Sequence, residues 1–350
     1  MLRHQIVMYG AKTWYPKEPN TLASHYDTLY ITVRDLEDIP YALDTVNVDE
    51  FECLAIDNSI EYNPNIIDYI YNEIIIGRNI SEDKVLLIGM SPDFVKDIYN
   101  VAKKYNRNPI RYEVFYHFEK SVRKLHPSFN GLPLNVDRGN AEIKRKYLNF
   151  SRMYRDHRIE LLNWLYNNNL LEIGYNSCPD INLATRKKES HRFVEGLRDK
   201  LPLILDTDKF VNNLGTIYDN NAGYNLLRFF KNSMFSIVTE TTYKNRHYRF
   251  LTEKIWKYVV FKHSFIMVSV PYTLKLFREL GYKTFSPYIN ESYDTIFDDN
   301  KRMDAIKSEI QRLCSFDDTQ TKKFLENVQP IVDYNYNLYF NKEKFVYRLI

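Results

Sequence analysis

One stretch of the sequence decides the fold class, residues 235–270, which read FSIVTETTYKNRHYRFLTEKIWKYVVFKHSFIMVSV. Short apolar runs rich in β-formers stand at its two ends, Phe235–Thr239 and Phe265–Val270, and the pattern between them predicts a helix over Glu253–Phe261. A strand, a helix and a second strand in this order are typical of a parallel β-α-β unit. The stretch therefore predicts a parallel α/β sheet rather than a β-sandwich or a helical bundle.

The same alternation runs through the rest of the chain. The first half predicts strands at Gln5–Tyr9, Thr28–Val33, Glu52–Ile56, Lys84–Met90 and Arg111–Tyr116, and a helix at Pro92–Tyr105 that Ser91 caps. The second half adds strands at Lys146–Phe150 and Leu201–Leu205, and helices at His157–Asn167, Thr273–Leu280, Met303–Cys314 and Thr319–Tyr334. A segment rich in Pro, Gly and Asn, His126–Asn140, lies between the halves. We expect an N-terminal α/β domain over residues 1–140, a second α/β domain over residues 141–315, and a helical tail over residues 316–350 that packs back across the junction.

The composition excludes several classes of protein. The 350 residues include ten glycines, and these lack the spacing of a dinucleotide-binding G-x-G-x-x-G motif or of a P-loop. The motifs H-E-x-x-H, C-x-x-C and G-x-S-x-G are absent too, which argues against zinc peptidases, thiol redox enzymes and serine hydrolases. The three cysteines, Cys53, Cys178 and Cys314, are too few and too scattered for a disulfide framework or a zinc site. If this chain binds a phosphate, side chains and helix ends must do much of the work.

The sequence shows no signal for secretion or for a membrane. No apolar run approaches the ~18 residues that a membrane helix needs, and the run after Arg3 and His4 is too short for a secretory signal. We therefore expect a cytoplasmic protein without a membrane span, in the host cytoplasm if the source is viral.

The start of the helix predicted at 253–261 is the strongest candidate for a binding site. Thr252 belongs to the residue types that cap helices, and the free backbone N–H groups at a helix start favour an anion such as a diphosphate. Lys254 adds a full positive charge, whereas Glu253 suits hydroxyl groups such as those of a ribose. The same residues also fit an ordinary capped helix with a Glu-Lys pair on its surface.

Two further clusters carry polar side chains beyond predicted strands. Glu240 ends the apolar run SIVTE, and ligands of open α/β sheets gather beyond the carboxyl ends of the strands. In KYLNFSRMYRDHR, residues 146–158, Arg152 and Arg158 can grip a diphosphate by bidentate hydrogen bonds, and His157 is a candidate donor or base. Each cluster also has a structural explanation, a polar strand end for Glu240 and a capping or packing role for His157.

These clusters carry a resemblance to a known family. The sequences KYLNFSRMYRDHRIELLNWL, SIVTE and FLTEKIWKYVVFKHSFIMVSVPYTLKLFRELGYKTFSPYINESYD together resemble bacterial and phage glycosyltransferases. The C-terminal half is similar to the nucleotide-binding domain of fucosyltransferases, and the resemblance runs from Lys146 to about Arg312. It implies an α/β fold of the GT-B type, with two Rossmann-like domains that face each other across a cleft and with C-terminal helices.

The resemblance also implies an activity. The second domain would hold a UDP- or GDP-linked sugar, and the first would present the acceptor hydroxyl. Glu253 would contact the ribose, Lys254 and Arg152 the diphosphate, and Glu240 the donor sugar. No cofactor is required in this interpretation, because cations and helix N–H groups stabilise the leaving diphosphate. Asp57, just after a predicted strand, is the candidate base for the acceptor.

A metal-dependent design stays open beside this one. Asp206 and Asp208 end an apolar run and resemble the D-x-D motif of GT-A glycosyltransferases, in which carboxylates hold a divalent cation against the diphosphate. Because the helix start at Lys254 already offers a cationic phosphate site, we expect no metal. Sensitivity to a chelator distinguishes the two designs.

The acceptor is open in the same way. Residues 96–124 carry eight Lys or Arg against three acidic residues, with six aromatic residues interleaved: Tyr99, Tyr105, Tyr112, Phe115, Tyr116 and Phe118. Such a segment suits a DNA acceptor, for example a hydroxymethylated base of a phage genome, and a cell-surface glycan is the other acceptor class. It also fits a surface helix followed by a buried strand. A non-catalytic nucleic-acid-binding protein and an interaction scaffold with a degenerate donor site are the alternatives from other classes.

Overall fold

The structure is a computed structural model, which describes residues 4–8, 28–32, 36, 38–44, 47–59, 63, 65–116, 118–119, 136–139, 141–151, 153–183, 185–203, 227–244, 248–342 and 346–348. The chain divides into two compact units. The first comprises Met1–Lys120, His247–Phe250 and Glu343–Ile350, and the second comprises Ser121–Arg246 and Leu251–Lys342. The tail that the sequence separates at residue 316 is thus divided between the two units. Most of the predicted boundary segment, His126–Asn140, lies outside the described residues.

Strands and helices alternate along the described parts of both units. The strands are β1 (His4–Met8), β2 (Thr28–Thr32), β3 (Cys53–Asp57), β4 (Val85–Gly89), β5 (Arg111–Phe115), β6 (Arg145–Phe150), β7 (Gly174–Ser177), β8 (Ser233–Thr239), β9 (Phe265–Val268) and β10 (Val346–Arg348). The α-helices are α1 (Asp38–Asp44), α2 (Ile66–Tyr69), α3 (Phe94–Lys104), α4 (Asp156–Asn167), α5 (Glu195–Arg198), α6 (Glu253–Val260), α7 (Thr273–Glu279), α8 (Asp299–Cys314) and α9 (Asp318–Asn341). Helix α2 continues as a π-helix over Ile70–Ile76. The expected mixed α/β class with C-terminal helices is confirmed.

The first unit is built on a six-stranded sheet with the strand order β1-β2-β3-β4-β5-β10. Strands β1 to β5 are parallel, and β10 pairs with β5 in the antiparallel sense. All five strands predicted for the first half are present. Each parallel strand pairs with its neighbour in sequence, so the chain advances in a single direction across these strands.

The core of the first unit follows from its strand sequences. Strands β3 and β4, CLAID and VLLIG, are buried along their full length, as expected for parallel strands covered on both faces. Helix α3 buries Phe94, Ile98 and Ala102, which recur every fourth residue and so share one helix face. The helix begins two residues later than predicted, but the Ser91 hydroxyl still accepts a hydrogen bond from the Asp93 N–H at 3.2 Å.

The second unit contains a parallel sheet with the strand order β7-β6-β8-β9. Its first strand, β6, lies in the interior, with β7 on one side and β8 on the other. The direction of chain progress therefore reverses between β6 and β8, which makes the crevice beyond their carboxyl ends a topological switch point. In open α/β sheets this is the place where ligands bind.

One strand of the second sheet differs from the prediction. The prediction of a strand over Leu201–Leu205 is wrong for the described residues 201–203, in which Leu203 forms only an isolated bridge with Cys178. The edge position of the sheet is taken by β7, whose sequence GYNS has no apolar run. A Cβ atom on Gly174 would lie 2.1 Å from the Tyr147 ring, so β7 can lie against β6 because that position is a glycine.

Among the described residues, the helices lack the combination of length and apolar character that crossing a bilayer requires.

Candidate functional site

The candidate site lies at the carboxyl ends of β6 and β8 in the second unit. The chain leaves β6 at Ser151 and leaves β8 at Glu240, and helices α4 and α6 begin after the loops that follow. The sequence predicted polar clusters at both ends. The structure brings the two clusters together through one residue, Glu240.

The Glu240 carboxyl group is fully buried and fastens the start of α6. Its Oε1 accepts from the Thr252 N–H at 3.1 Å, and its Oε2 accepts from the Thr252 hydroxyl at 2.5 Å and from the Thr241 N–H at 3.3 Å. Burial raises the pKa of Glu240, while Lys254 and the Thr252 hydroxyl act in the opposite direction. Glu240 thus holds the N-cap residue of α6 in place.

The start of α6 has the capped geometry that the sequence predicts. The Thr252 hydroxyl accepts from the Lys254 N–H at 3.3 Å, and the Lys254 ammonium group donates to the hydroxyls of Thr252 and Thr241 at 3.0 and 3.2 Å. It also pairs with the Glu253 carboxylate at 2.9 Å. Burial raises the pKa of Glu253, but Lys254 and Lys257 outweigh it and lower the pKa to about 2. Glu253 and Lys254 are both partly exposed, so this pair lies at a solvent-accessible helix start.

Side chains from the first turn of α4 bind the backbone carbonyl groups at the end of β8. The His157 ring donates from Nε2 to the Glu240 carbonyl at 3.0 Å, since a carbonyl can only accept. Arg158 donates to the carbonyls of Thr239 and Glu240 at 2.9 and 3.1 Å, and to that of Met153 at 3.1 Å. Burial lowers the pKa of His157 to about 3, with a further contribution from Arg158, so the ring is neutral. Both side chains hold backbone carbonyl groups.

Two helix starts therefore converge on one residue. The Glu240 carbonyl is bound by the first turn of α4, and the Glu240 carboxyl group is bound by the N-cap residue of α6. A helix start carries a partial positive charge and backbone N–H groups that have no acceptor within the helix. The switch point thus combines two such starts with the Lys254 ammonium group, which is an arrangement suited to an anion with several oxygen atoms.

Buried polar atoms without a partner also collect at these strand ends. Asn149 Oδ1, Ser151 Oγ, Arg158 Nε and Thr239 Oγ1 are buried and make no hydrogen bond within the described part of the chain. The register pairs Asn149 with Ile237, so Asn149, Ser151 and Thr239 share one face of the sheet. Buried polar groups are normally satisfied, and a cluster of unsatisfied ones calls for an explanation, such as a ligand or water.

The predicted site residues fall into two groups. Glu253 and Lys254 are partly exposed at the α6 start and pair with each other. Glu240, His157 and Arg158 lie at the same strand ends, but they are buried and bind other parts of the protein. Arg152 lies outside the described residues.

Sequence reasoning left Arg155 out of the site. It is the N-cap residue of α4, it is exposed, and its guanidinium group makes no hydrogen bond or ion pair within the described part of the chain. Of the cations near α4, Arg155 is placed where the sequence expected Arg158 to act. Only the burial of Arg158 distinguishes the two arginines, and burial depends on the packing of α4.

Asp57 lies in the first unit, at the carboxyl end of β3. Its fully buried carboxyl group accepts from the Tyr30 hydroxyl and, at 2.8 Å, from the Ser59 N–H. Burial raises the pKa of Asp57, and the hydrogen bonds to Ser59 and Tyr30 act in the opposite direction. The next residue, Asn58, is fully buried, and neither atom of its amide group has a partner in the described chain.

The remaining predictions find less support. Asp206 and Asp208 lie outside the described residues, and within the described ranges no group of three or more His, Cys, Asp or Glu side chains is placed to hold a metal ion. In the segment 96–124, the side chains of Tyr112, Phe115 and Tyr116 are buried in the first unit. These three aromatic side chains belong to the core and cannot stack on bases.

Comparison with known proteins gives no relative: no family model, curated protein or solved structure matches this chain.

Proposed function

We propose that the protein is a glycosyltransferase that transfers a sugar from a nucleotide-diphosphate donor, UDP- or GDP-linked, to a hydroxyl acceptor. The observation that carries the proposal is the convergence of the α4 and α6 starts on Glu240 at the switch point, beside Lys254. The resemblance of the sequence to glycosyltransferases supplies the reaction class. An acceptor glycan and a modified DNA base are the two acceptor classes that the sequence suggests.

The chemistry of sugar transfer suits such a place. When the bond between the anomeric carbon and the diphosphate breaks, negative charge develops on the leaving diphosphate. Helix N–H groups and an ammonium group that are already fixed in position stabilise that charge without reorganising. In this proposal Lys254 binds the diphosphate, and the partly exposed Glu253 carboxylate accepts hydrogen bonds from the ribose hydroxyls.

The buried residues have positioning roles in this proposal. Glu240 orients the N-cap of α6, and His157 and Arg158 orient the Glu240 backbone. A neutral His157 with a pKa of about 3 is a weak base, so His157 is not proposed as the base for the acceptor. Asp57, the base predicted from the sequence, is fully buried in the first unit, where Tyr30 and Ser59 bind its carboxyl group.

A nucleotide-sugar panel tests the proposal. Thermal unfolding is measured with UDP, GDP and their sugar conjugates, with and without EDTA, and donor hydrolysis is measured in parallel. At a concentration 100 times Kd, a donor that binds the folded state stabilises it by about 2.7 kcal/mol, so the melting temperature should rise for one nucleotide class. Loss of that rise with EDTA would favour the metal-dependent design.

Two variants locate the effect at the α6 start. Lys254→Ala and Glu253→Ala should each weaken donor binding or turnover at least tenfold, because each removes a charged ligand group. Lys275→Ala, an exposed cation on α7, is the matched control and should change neither. Wild-type binding and hydrolysis in both α6 variants would contradict the site, and the absence of any response to nucleotides in the wild type would contradict the function.

A further inference from the structure

The α4 start differs from the other long helix starts of the second unit. Helices α6, α8 and α9 are capped by the side chains of Thr252, Asp298 and Asp317. The N-cap residue of α4 is Arg155, whose side chain has no acceptor atom and makes no capping hydrogen bond. The N–H groups of Asp156 and His157 consequently have neither a side-chain cap nor, by position, an acceptor within the helix.

Two buried polar atoms accompany this uncapped start. Ser151, the residue that follows β6, is 3% exposed, and its hydroxyl group has no partner in the described chain. Arg158 in the first turn is 4% exposed, and its Nε has no partner either. Ser151 shares a sheet face with Tyr147, whose hydroxyl donates to the carbonyl of Leu170 just beyond α4, so this is the face that α4 covers.

The charge balance points to the same place. At the α6 start Lys254 is paired with the ionised Glu253, so these two side chains contribute no net charge, and Lys257 lies one turn further along the helix. A pyrophosphate ester carries two negative charges and needs a further cation. At the α4 start the acidic Asp156 is paired with Arg192 at 2.5 Å and Lys244 at 3.3 Å, which leaves Arg155 as an exposed positive charge.

We propose that the α4 start is a second phosphate subsite, in which the Ser151 hydroxyl, the Arg155 guanidinium group and the first-turn N–H groups bind one phosphate of a pyrophosphate ester. The other phosphate lies at the α6 start, beside Lys254. The inference rests on the proposed function and deepens it, because a site divided between two helix starts selects nucleoside diphosphates over monophosphates.

Calorimetric titration with UDP, UMP, GDP and GMP at fixed ionic strength tests the inference. Arg155→Gln should weaken the diphosphate that binds by about tenfold, because it removes a charged hydrogen bond, and should weaken the matching monophosphate by less than about twofold. Ser151→Ala should act in the same direction, by about threefold to tenfold. Lys275→Gln, which removes a cation from the first turn of α7, should leave all four affinities unchanged.

A second readout separates binding from structure. Ser151→Ala removes a hydroxyl that has no partner, so the ligand-free variant should unfold at the same temperature as the wild type or above it. Diphosphate binding that is weakened by Lys254→Ala but unchanged by Ser151→Ala and Arg155→Gln would overturn the second subsite and leave the proposed function standing. Equal losses for diphosphate and monophosphate would also overturn it, and a wild-type protein that binds none of the four nucleotides would overturn both proposals.

Discussion

Both sheets of this protein are largely parallel, but different contacts are made at the carboxyl ends of their strands. In the first sheet the parallel strands follow chain order, and the buried acid at a strand end, Asp57, receives hydrogen bonds from Tyr30 and Ser59. In the second sheet the direction reverses between β6 and β8, and two helix starts meet at Glu240. Buried polar atoms without a partner in the described chain lie at the strand ends of both sheets, on Asn58 in the first and on Asn149, Ser151 and Thr239 in the second.

The contrast extends to what holds each strand end in place. The end of β3 is held by a hydroxyl and a backbone N–H, whereas the end of β8 is held by the buried Arg158 and His157. A guanidinium group that binds three carbonyls costs desolvation energy, which its hydrogen bonds must offset. The end of β8 is thus held by a buried cation, and three expected outcomes follow from this difference.

The largest expected effect is on stability. Arg158→Met should lower the free energy of unfolding by about 3 kcal/mol, because the carbonyls of Met153, Thr239 and Glu240 lose a charged donor. Tyr30→Phe, the counterpart in the first sheet, removes one hydroxyl from Asp57 and should cost about 1 to 2 kcal/mol. Urea unfolding measures both. A smaller loss of unfolding free energy for Arg158→Met than for Tyr30→Phe would contradict this difference between the two sheets.

An intermediate effect concerns pH. Burial lowers the pKa of both His157 and His263 in the second unit to about 3, so between about pH 6.5 and pH 3 the unfolded state binds more protons. The free energy of unfolding should therefore fall as the pH falls, by about 2 kcal/mol per histidine between pH 6.5 and pH 5. The raised pKa of Asp57 acts with the opposite sign, because its contribution is present at low pH and is lost as the pH rises.

Single variants assign this pH dependence to the second unit. His157→Gln and His263→Gln should each flatten the decline in stability below pH 6.5. A decline that keeps its slope in both variants would show that neither ring is neutral because of burial.

The smallest expected effect compares one threonine in each sheet. Thr239→Val in β8 removes a buried hydroxyl without a partner and should raise the free energy of unfolding by about 1 kcal/mol. Thr28→Val in β2 removes a hydroxyl that bonds to the Cys53 thiol and should lower it by a similar amount. Chemical denaturation of the two variants checks the opposite signs. Changes in unfolding free energy of the same sign would mean that the Thr239 hydroxyl is hydrogen-bonded no less than the Thr28 hydroxyl.

Much of the fold could be predicted because its signals are local. The β-rich runs predicted all five strands of the first half, and the α6 start could be recognised from Thr252, Glu253 and Lys254 in sequence. Strand β7 could not be predicted, because its short edge position needs a glycine beside Tyr147 rather than an apolar run. This constraint arises from the packing of β7 against β6, which the local sequence does not show.

The site divides in the same way. Charged residues near a strand end can be recognised from the sequence, and Arg158 and His157 are predicted as site residues on that ground. The sequence does not show which of them packing buries against backbone carbonyls, as with Arg158, and which it leaves exposed, as with Arg155. Nor does it reveal that the Ser151 hydroxyl lacks a partner, since that depends on all the neighbouring elements at once.

A crystal structure of the protein soaked with UDP or GDP would show where the pyrophosphate binds. We expect electron density for the pyrophosphate between the starts of α4 and α6, within hydrogen-bonding distance of the Lys254 ammonium group. Density for the pyrophosphate at any other place, such as the carboxyl end of β3 beside Asp57, or a crevice that stays without nucleotide at saturating concentration, would contradict it.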